Sequence, residues 1–287
     1  MSADFSNITI LGGGLLGGSL ALALAARDAP SRVRLWARRQ ETVDAARTLG
    51  IHAATCDLAA AIEAADLLVL AVPVGSMAAL VARAVDAGLP AGCLVTDVGS
   101  VKRVPHQSIP PLLAGRGIEF IGSHPMAGSE RTGLPAAAAE LFRDAACLLT
   151  NDENVPATRA CLLEKFWQSV GCRTAWLSAA VHDALVARIS HLPHILAASA
   201  ARICLQDPSE GGFGGGGLRD TTRVSSGNPE MWAEILIENR EALLDPLRAT
   251  IADLGVILAH LEHHRQEPAR EWLATAKRQR DLLHPPG

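Results

Sequence analysis

Short apolar runs alternate with longer segments of helical periodicity through the first 175 or so residues. Residues 7–11, 32–36, 67–72, 94–96 and 119–122 read as strands, and 147–150 and 173–176 as two more. Between them lie Ala-rich stretches of helical character at 15–27, 41–49, 76–87 and 158–170. Strand–helix alternation of this kind predicts parallel β-α-β units wound into a doubly wound α/β sheet. After Leu177 the pattern changes to long helical repeats over 182–205, 229–254 and 267–282, with no convincing strand. The expected organisation is an α/β domain over residues 1–178 and an all-helical domain over 179–287. Long Ala- and Leu-rich helices in so small a second domain need an apolar partner, and a second copy of the chain is a natural one. The glycine run at 211–217 is expected to be a mobile loop or hinge.

Composition narrows the function. The 287 residues are 49% hydrophobic and carry a net charge of −4, which excludes wholesale disorder. No basic block is present and aromatics make up 3%, so nucleic acid is not the expected partner. Six cysteines without C-x-x-C spacing read as buried thiols of a reducing cytoplasm. Five glycines interrupt the uncharged stretch near the N-terminus, and Pro73 and Gly75 break the next apolar run, so neither reads as a membrane span. A cytoplasmic protein is expected. Tyrosine is missing entirely, which removes Tyr-based acid chemistry.

The run Gly12-Gly13-Gly14-Leu15-Leu16-Gly17 fits G-x-G-x-x-G, follows an expected strand and opens an expected helix. Gly12 permits the turn, Gly14 admits the pyrophosphate and Gly17 allows close helix–strand packing, while the helix N-terminus at Leu15 and Leu16 offers free N–H groups. Val72 and Pro73, where the 67–72 run ends, are expected at the same cofactor site. About 20 residues after the last glycine, an acid would mark NAD. Ala37 stands there instead, followed by Arg38 and Arg39. These two either clamp a 2′-phosphate, which favours NADP over NAD, or cap an exposed loop.

Two polar clusters follow strands whose carboxyl ends should face the cofactor: Asp97-Val98-Gly99-Ser100-Val101-Lys102 and Gly122-Ser123-His124-Pro125-Met126-Ala127-Gly128. His124 is a sensible base for oxidising an alcohol, or else merely orders its loop. In the helical part, His191 and His194 share one helix face, and Pro193 between them should free the carbonyl of Ile189 and kink the helix. No acid or Cys completes a metal-ligand set around them. Arg219 and Arg223 precede a clear helix start at Asn228-Pro229 and are candidate carboxylate ligands, or surface ion-pair partners.

Together these segments, with His182-Asp183, the stretch from Ser190 to His194 and that from Leu218 to Trp232, resemble the prephenate/arogenate (cyclohexadienyl) dehydrogenase family of tyrosine biosynthesis. The resemblance implies a Rossmann-like domain, a helical dimerisation domain and a homodimer. It further implies NAD(P)-dependent oxidative decarboxylation of arogenate or prephenate, a small carboxylate substrate. By the same resemblance His124 accepts or polarises the hydroxyl proton, with Ser100 bonded to that hydroxyl or to His124. Arg223 and His194 hold substrate, with His191 and Arg219 as further candidates. Arogenate carries an ammonium where prephenate carries a ketone, so Asp152 or Glu153 is a candidate partner for it, with Asn151 as the competing pocket residue. One rival reading is a β-hydroxyacid-type dehydrogenase, which would place a catalytic lysine in the second domain, where Lys277 alone is found. Another is a non-catalytic NADP-binding sensor.

Overall fold

The structure, a computed structural model, describes residues 5–27, 32–129, 131–207 and 209–283. Strands β1 (Asn7–Leu11), β2 (Arg32–Trp36), β3 (Ala54–Thr55), β4 (Leu67–Leu70), β5 (Leu94–Asp97) and β6 (Glu119–Phe120) form one parallel sheet in the order β3-β2-β1-β4-β5-β6. The order reverses between β1 and β4, and a crevice opens beyond the strand ends at such a point. Successive strand residues bury on opposite faces. Ile8, Ile10, Leu67 and Val69 enter one core, while Leu11, Leu68 and Leu70 enter the other. That double burial is why these runs are continuously apolar rather than alternating.

Helices α1 (Leu15–Ala25), α2 (Gln40–Thr48), α3 (Leu58–Ile62), α4 (Val74–Asp86), α5 (Arg103–Ser108) and α6 (Pro110–Leu113) connect these strands. The expected strand at 119–122 divides in two. Its first half is β6, and the chain then turns into β7 (Gly122–Pro125), which pairs antiparallel with β8 (Ala146–Thr150). β9 (Arg173–Leu177) adds parallel to β8, after α7 (Ala157–Ser169), so the last strands form a separate three-stranded sheet. Gly122 is required at the turn, because a Cβ there would stand 2.4 Å from Thr150 Oγ1. The 67–72 strand stops at Leu70, leaving Val72 and Pro73 in the loop before α4.

Beyond this lie α8 (Ala179–Val186), α9 (Leu192–Cys204), α10 (Gly216–Thr222) and α11 (Pro229–Glu238). The helix expected over 182–205 is interrupted by a π-helical turn, Ala187–His191, placed just before Pro193. Wider i→i+5 bonding accommodates the proline there, rather than a simple kink. The glycine run is partly ordered, with a 3-10 turn at Glu210–Phe213 and α10 starting at Gly216. The helix expected over 229–254 breaks at Asn239, which leaves helical geometry at φ −102°, ψ 17°. Residues 1–240 form one compact unit and 241–287 another. The second consists of α12 (Arg240–Glu262) from Glu241 onward and α13 (Gln266–Asp281), tied by Trp272 donating to Asp253 at 3.0 Å. No described helix is long and apolar enough to cross a membrane.

Candidate active site

A cleft of about 1180 Å³ opens at the sheet's reversal point, lined by Gly12, Gly14, Arg38, Arg39, Val72 and Pro73 among others. Gly12 has φ +126°, and a Cβ there would lie 2.2 Å from the Ala71 carbonyl oxygen. A Cβ on Gly17 would lie 1.9 Å from the Gly12 carbonyl oxygen, so this glycine lets α1 approach the turn instead of lining the cleft. Gly14 faces open space. Leu15 and Leu16 are also absent from the cleft wall; Leu15 begins α1, whose first backbone N–H groups are the ones a phosphate would use. A dinucleotide therefore fits the residues present. Residues 133–135 close another part of the wall, a contribution with no motif to announce it. Arg83 of α4 lies over Trp36 at 5.7 Å and lines the cleft with Arg38 and Arg39, as does the acidic Glu41.

His124 sits within β7, not in a loop after a strand. Its neighbour Ser123 is fixed from three sides: its N–H donates to Asp97 Oδ1 at 3.2 Å, and its hydroxyl meets Thr96 Oγ1 at 2.7 Å and Trp167 Nε1 at 2.9 Å. Asp97 also accepts from Gly99 N–H at 2.8 Å and pairs with Lys102 Nζ. Both side chains of that ion pair are fully buried. Removing one partner strands the other charge in a medium that cannot solvate it. Lys102→Met is therefore expected to lower unfolding stability by about 3–5 kcal/mol; urea denaturation measures this, and an unchanged midpoint would argue against a structural role for the pair.

A chain of hydrogen bonds leads from β7 into α8. His124 Nδ1 lies 2.9 Å from His182 Nε2, and His182 Nδ1 lies 2.8 Å from Asp183 Oδ1. The Lys102 and Arg103 N–H groups donate to Asp183 at 2.7 and 3.0 Å. Burial works against the Asp183 carboxylate, but the bonds from His182, Arg103 and Lys102 outweigh it and hold its pKa below the usual 3.8. An ionised carboxylate only accepts, so His182 carries its proton on Nδ1 and presents a bare Nε2. His124 must then donate from Nδ1. Burial, His182 and Lys102 push the His124 pKa well below 6.5, so the ring is neutral at pH 7 and Nε2 holds the lone pair. That nitrogen accepts no hydrogen bond from the described residues.

In the helical part, His191 is buried in the π turn and His194 in α9. The His194 ring stacks on Trp232 of α11 with centroids 3.5 Å apart and planes 9° from parallel. His191 Nε2 and His194 Nδ1 are enclosed without a hydrogen-bond partner among the described residues. Orphaned buried nitrogens are rare in folded proteins and mark a place where a ligand or water completes the bonding.

Arg219 lies on α10 and Arg223 on the 3-10 turn Arg223–Ser226, which packs against α9; both are exposed. Ser100 lies half-buried in the loop between Asp97 and Lys102, and its hydroxyl bonds to no described residue, His124 included. The candidates for an ammonium are engaged elsewhere. Asp152 accepts from Ala179 N–H at 3.0 Å, Glu153 from His106 Nδ1 at 2.6 Å, and Asn151 bonds the Val155 backbone. Sequence reasoning missed the ion pair of Asp97 with Lys102 and the part played by Asn239, which donates to the Asp183 carbonyl at 2.9 Å. No local signal identifies an asparagine that breaks an otherwise helical pattern as part of a site.

Residues 20–176 match the family described as prephenate dehydrogenase, nucleotide-binding domain, and residues 178–275 match prephenate dehydrogenase, dimerization domain. A cyclohexadienyl dehydrogenase of Zymomonas mobilis is 36% identical over 87% of this chain and 86% of its own. A prephenate dehydrogenase of Bacillus subtilis is 31% identical over 96% and 76%. The crystal structure of Aquifex aeolicus prephenate dehydrogenase in complex with hydroxyphenyl propionate and NAD+ superposes with a TM-score of 0.88, at 26% identity over 99% of this chain and 100% of that one. The histidine of β7 and the helical histidines thus fall within two matched domains that cover most of the sequence, and the chain belongs to the prephenate dehydrogenase family.

Proposed function

We propose that the chain oxidatively decarboxylates a cyclohexadienol, prephenate or arogenate, with His124 as the base. The observation that carries this is the bond sequence Asp183–His182–His124, which leaves His124 with an unprotonated Nε2. Gly12, Gly14 and the start of α1 would hold the dinucleotide, which when bound supplies the hydride acceptor. As the hydroxyl-bearing carbon gives up hydride and the ring carboxylate departs as CO2, His124 Nε2 takes the hydroxyl proton. The imidazolium so formed keeps its Nδ1 bond to His182, and the Asp183 carboxylate behind it offsets the new charge. Ser100 would position the same hydroxyl, and His191, His194, Arg219 and Arg223 would hold the substrate's oxygens. The test is reduced-cofactor formation measured with arogenate and prephenate in parallel, each with NAD and NADP. Binding of cofactor without turnover of either substrate would favour a sensor instead.

NADP is the proposed cofactor. Ala37 leaves no acid at the end of β2, and Arg38, Arg39 and Arg83 gather guanidinium groups on the cleft wall, outweighing Glu41. Arg38→Ala and Arg39→Ala together should raise KM for NADP by about tenfold or more, the scale of one lost charge-assisted contact, and leave KM for NAD within about twofold. Equal effects on both cofactors would remove the 2′-phosphate role. Arg223→Gln should raise KM for the cyclohexadienol with little change in kcat, since uniform binding is what a carboxylate clamp supplies; steady-state kinetics with an unchanged KM would exclude it.

The proposed assembly is a cytoplasmic homodimer through residues 179–287. Ile251, Leu254, Leu258 and Leu261 repeat at three- and four-residue spacing along one face of α12 and are each at least 50% exposed in the single chain. A monomer mass by light scattering at micromolar concentration would refute this.

A further inference from the structure

We propose that Asn239 is a positioning residue of the site, fixing His191 as a hydrogen-bond donor of opposite polarity to His124. Asn239 is buried where the long helical pattern breaks between α11 and α12, and its side-chain nitrogen makes two bonds. One goes to the Asp183 carbonyl oxygen at 2.9 Å and the other to His191 Nδ1 at 3.0 Å. A carbonyl oxygen only accepts, so the NH2 end of the amide must face Asp183. The remaining amide hydrogen then points at His191 Nδ1, which has to accept it. Burial lowers the pKa of His191 to about 4 against the opposing pull of Asp183, so at neutral pH the ring carries a single proton. With Nδ1 accepting, that proton resides on Nε2, the nitrogen enclosed without a partner among the described residues.

The consequence is a pair of neutral histidines with complementary ends. The carboxylate of Asp183, through His182, leaves His124 with a bare Nε2 that accepts a proton. The carbonyl of the same Asp183, through Asn239, leaves His191 with an Nε2–H that donates. One residue therefore orients both arms. A cyclohexadienol presents a hydroxyl to be deprotonated and carboxylate oxygens to be bound, so it needs one nitrogen of each kind. In the opposite tautomer, His191 would turn a lone pair toward a substrate oxygen and repel it. The inference rests on reading this site as the cyclohexadienol site, but the tautomer it assigns is a property of the protein alone.

The test uses the full chain labelled with 15N-histidine, with tautomers read from two-bond 1H–15N correlations and His191 identified by the signal lost in His191→Gln. The wild type should show His191 with Nε2 protonated and Nδ1 bare. Asn239→Asp replaces the donor by an acceptor of the same shape, so Nδ1 should become protonated. In that variant KM for the cyclohexadienol should rise about tenfold, the size of one lost donor, while KM for the dinucleotide stays within about twofold. Asn239→Leu, which neither donates nor accepts, should release the tautomer preference and raise the same KM, guarding against a folding defect peculiar to the buried acid. A wild-type His191 protonated on Nδ1, or a bare Nδ1 retained in Asn239→Asp, overturns the proposal. If the tautomers behave as expected but the wild type turns over neither arogenate nor prephenate, it is the functional reading that fails.

Discussion

Replacing His124 with asparagine is expected to lower kcat by about 10²–10⁴ while leaving dinucleotide affinity intact, the range typical of lost acid–base catalysis. Asparagine retains a donor for His182 Nε2, so β7 and its bond into α8 should survive. What it lacks is the basic ring nitrogen. The pH dependence of the wild type supplies an independent check. Activity needs neutral His124, and burial with the nearby His182 and Lys102 holds its pKa well below 6.5. The acid limb of kcat/KM assigned to this base should therefore lie below the ordinary histidine range, and activity should persist as pH falls through 6.5. Near-normal turnover by His124→Asn would remove the base from this position.

Asp183→Asn should cost about 10²–10⁴ in kcat as well, although the side chain would not touch the substrate. The reason is the loss of the negative charge behind the relay. Oδ1 of Asp183 accepts from both the Lys102 N–H and His182 Nδ1, and Oδ2 accepts from the Arg103 N–H. The substituted amide keeps the first two bonds with its oxygen at the Oδ1 position, so the tautomers of His182 and His124 stay as they are, but its NH2 then opposes the Arg103 N–H. A neutral amide also no longer offsets the charge of the imidazolium formed at His124. The expected signature is a collapse of kcat with dinucleotide binding retained. A kcat within about threefold of the wild type would show that Asp183 only supports the fold. Loss of folded protein is the competing outcome, and circular dichroism separates it from loss of catalysis.

Much of the candidate site was legible in the chain because its chemistry is carried by local motifs. Gly12 and Gly17 belong to one strand–turn–helix motif, and their need for missing Cβ atoms follows from geometry that short-range sequence already implies. The relay was less legible. His124 and His182 are 58 residues apart, and no spacing rule predicts that one nitrogen of each will meet at 2.9 Å. Splitting the 119–122 run into β6 and β7 was also beyond a pattern reading. The apolar residues continue across the break, and the turn depends on contact between Gly122 and Thr150. Lys102 illustrates the same limit: it stands in a polar loop motif, yet the tertiary fold buries it completely against Asp97.

The sequence by itself determined the α/β core, the glycine turn, the change to helices after Leu177 and the family to which the chain belongs, since each depends on residues close together or on a motif in order. The tertiary structure alone decided which nitrogen of each histidine bears the proton. Tautomers are set by the partner at the far ring nitrogen, and here those partners come from β7, α8 and the Asn239 break between helices. A histidine in a sequence is only a potential acid, base or donor. Long-range packing against Asp183 and Asn239 is what makes His124 an acceptor and His191 a donor.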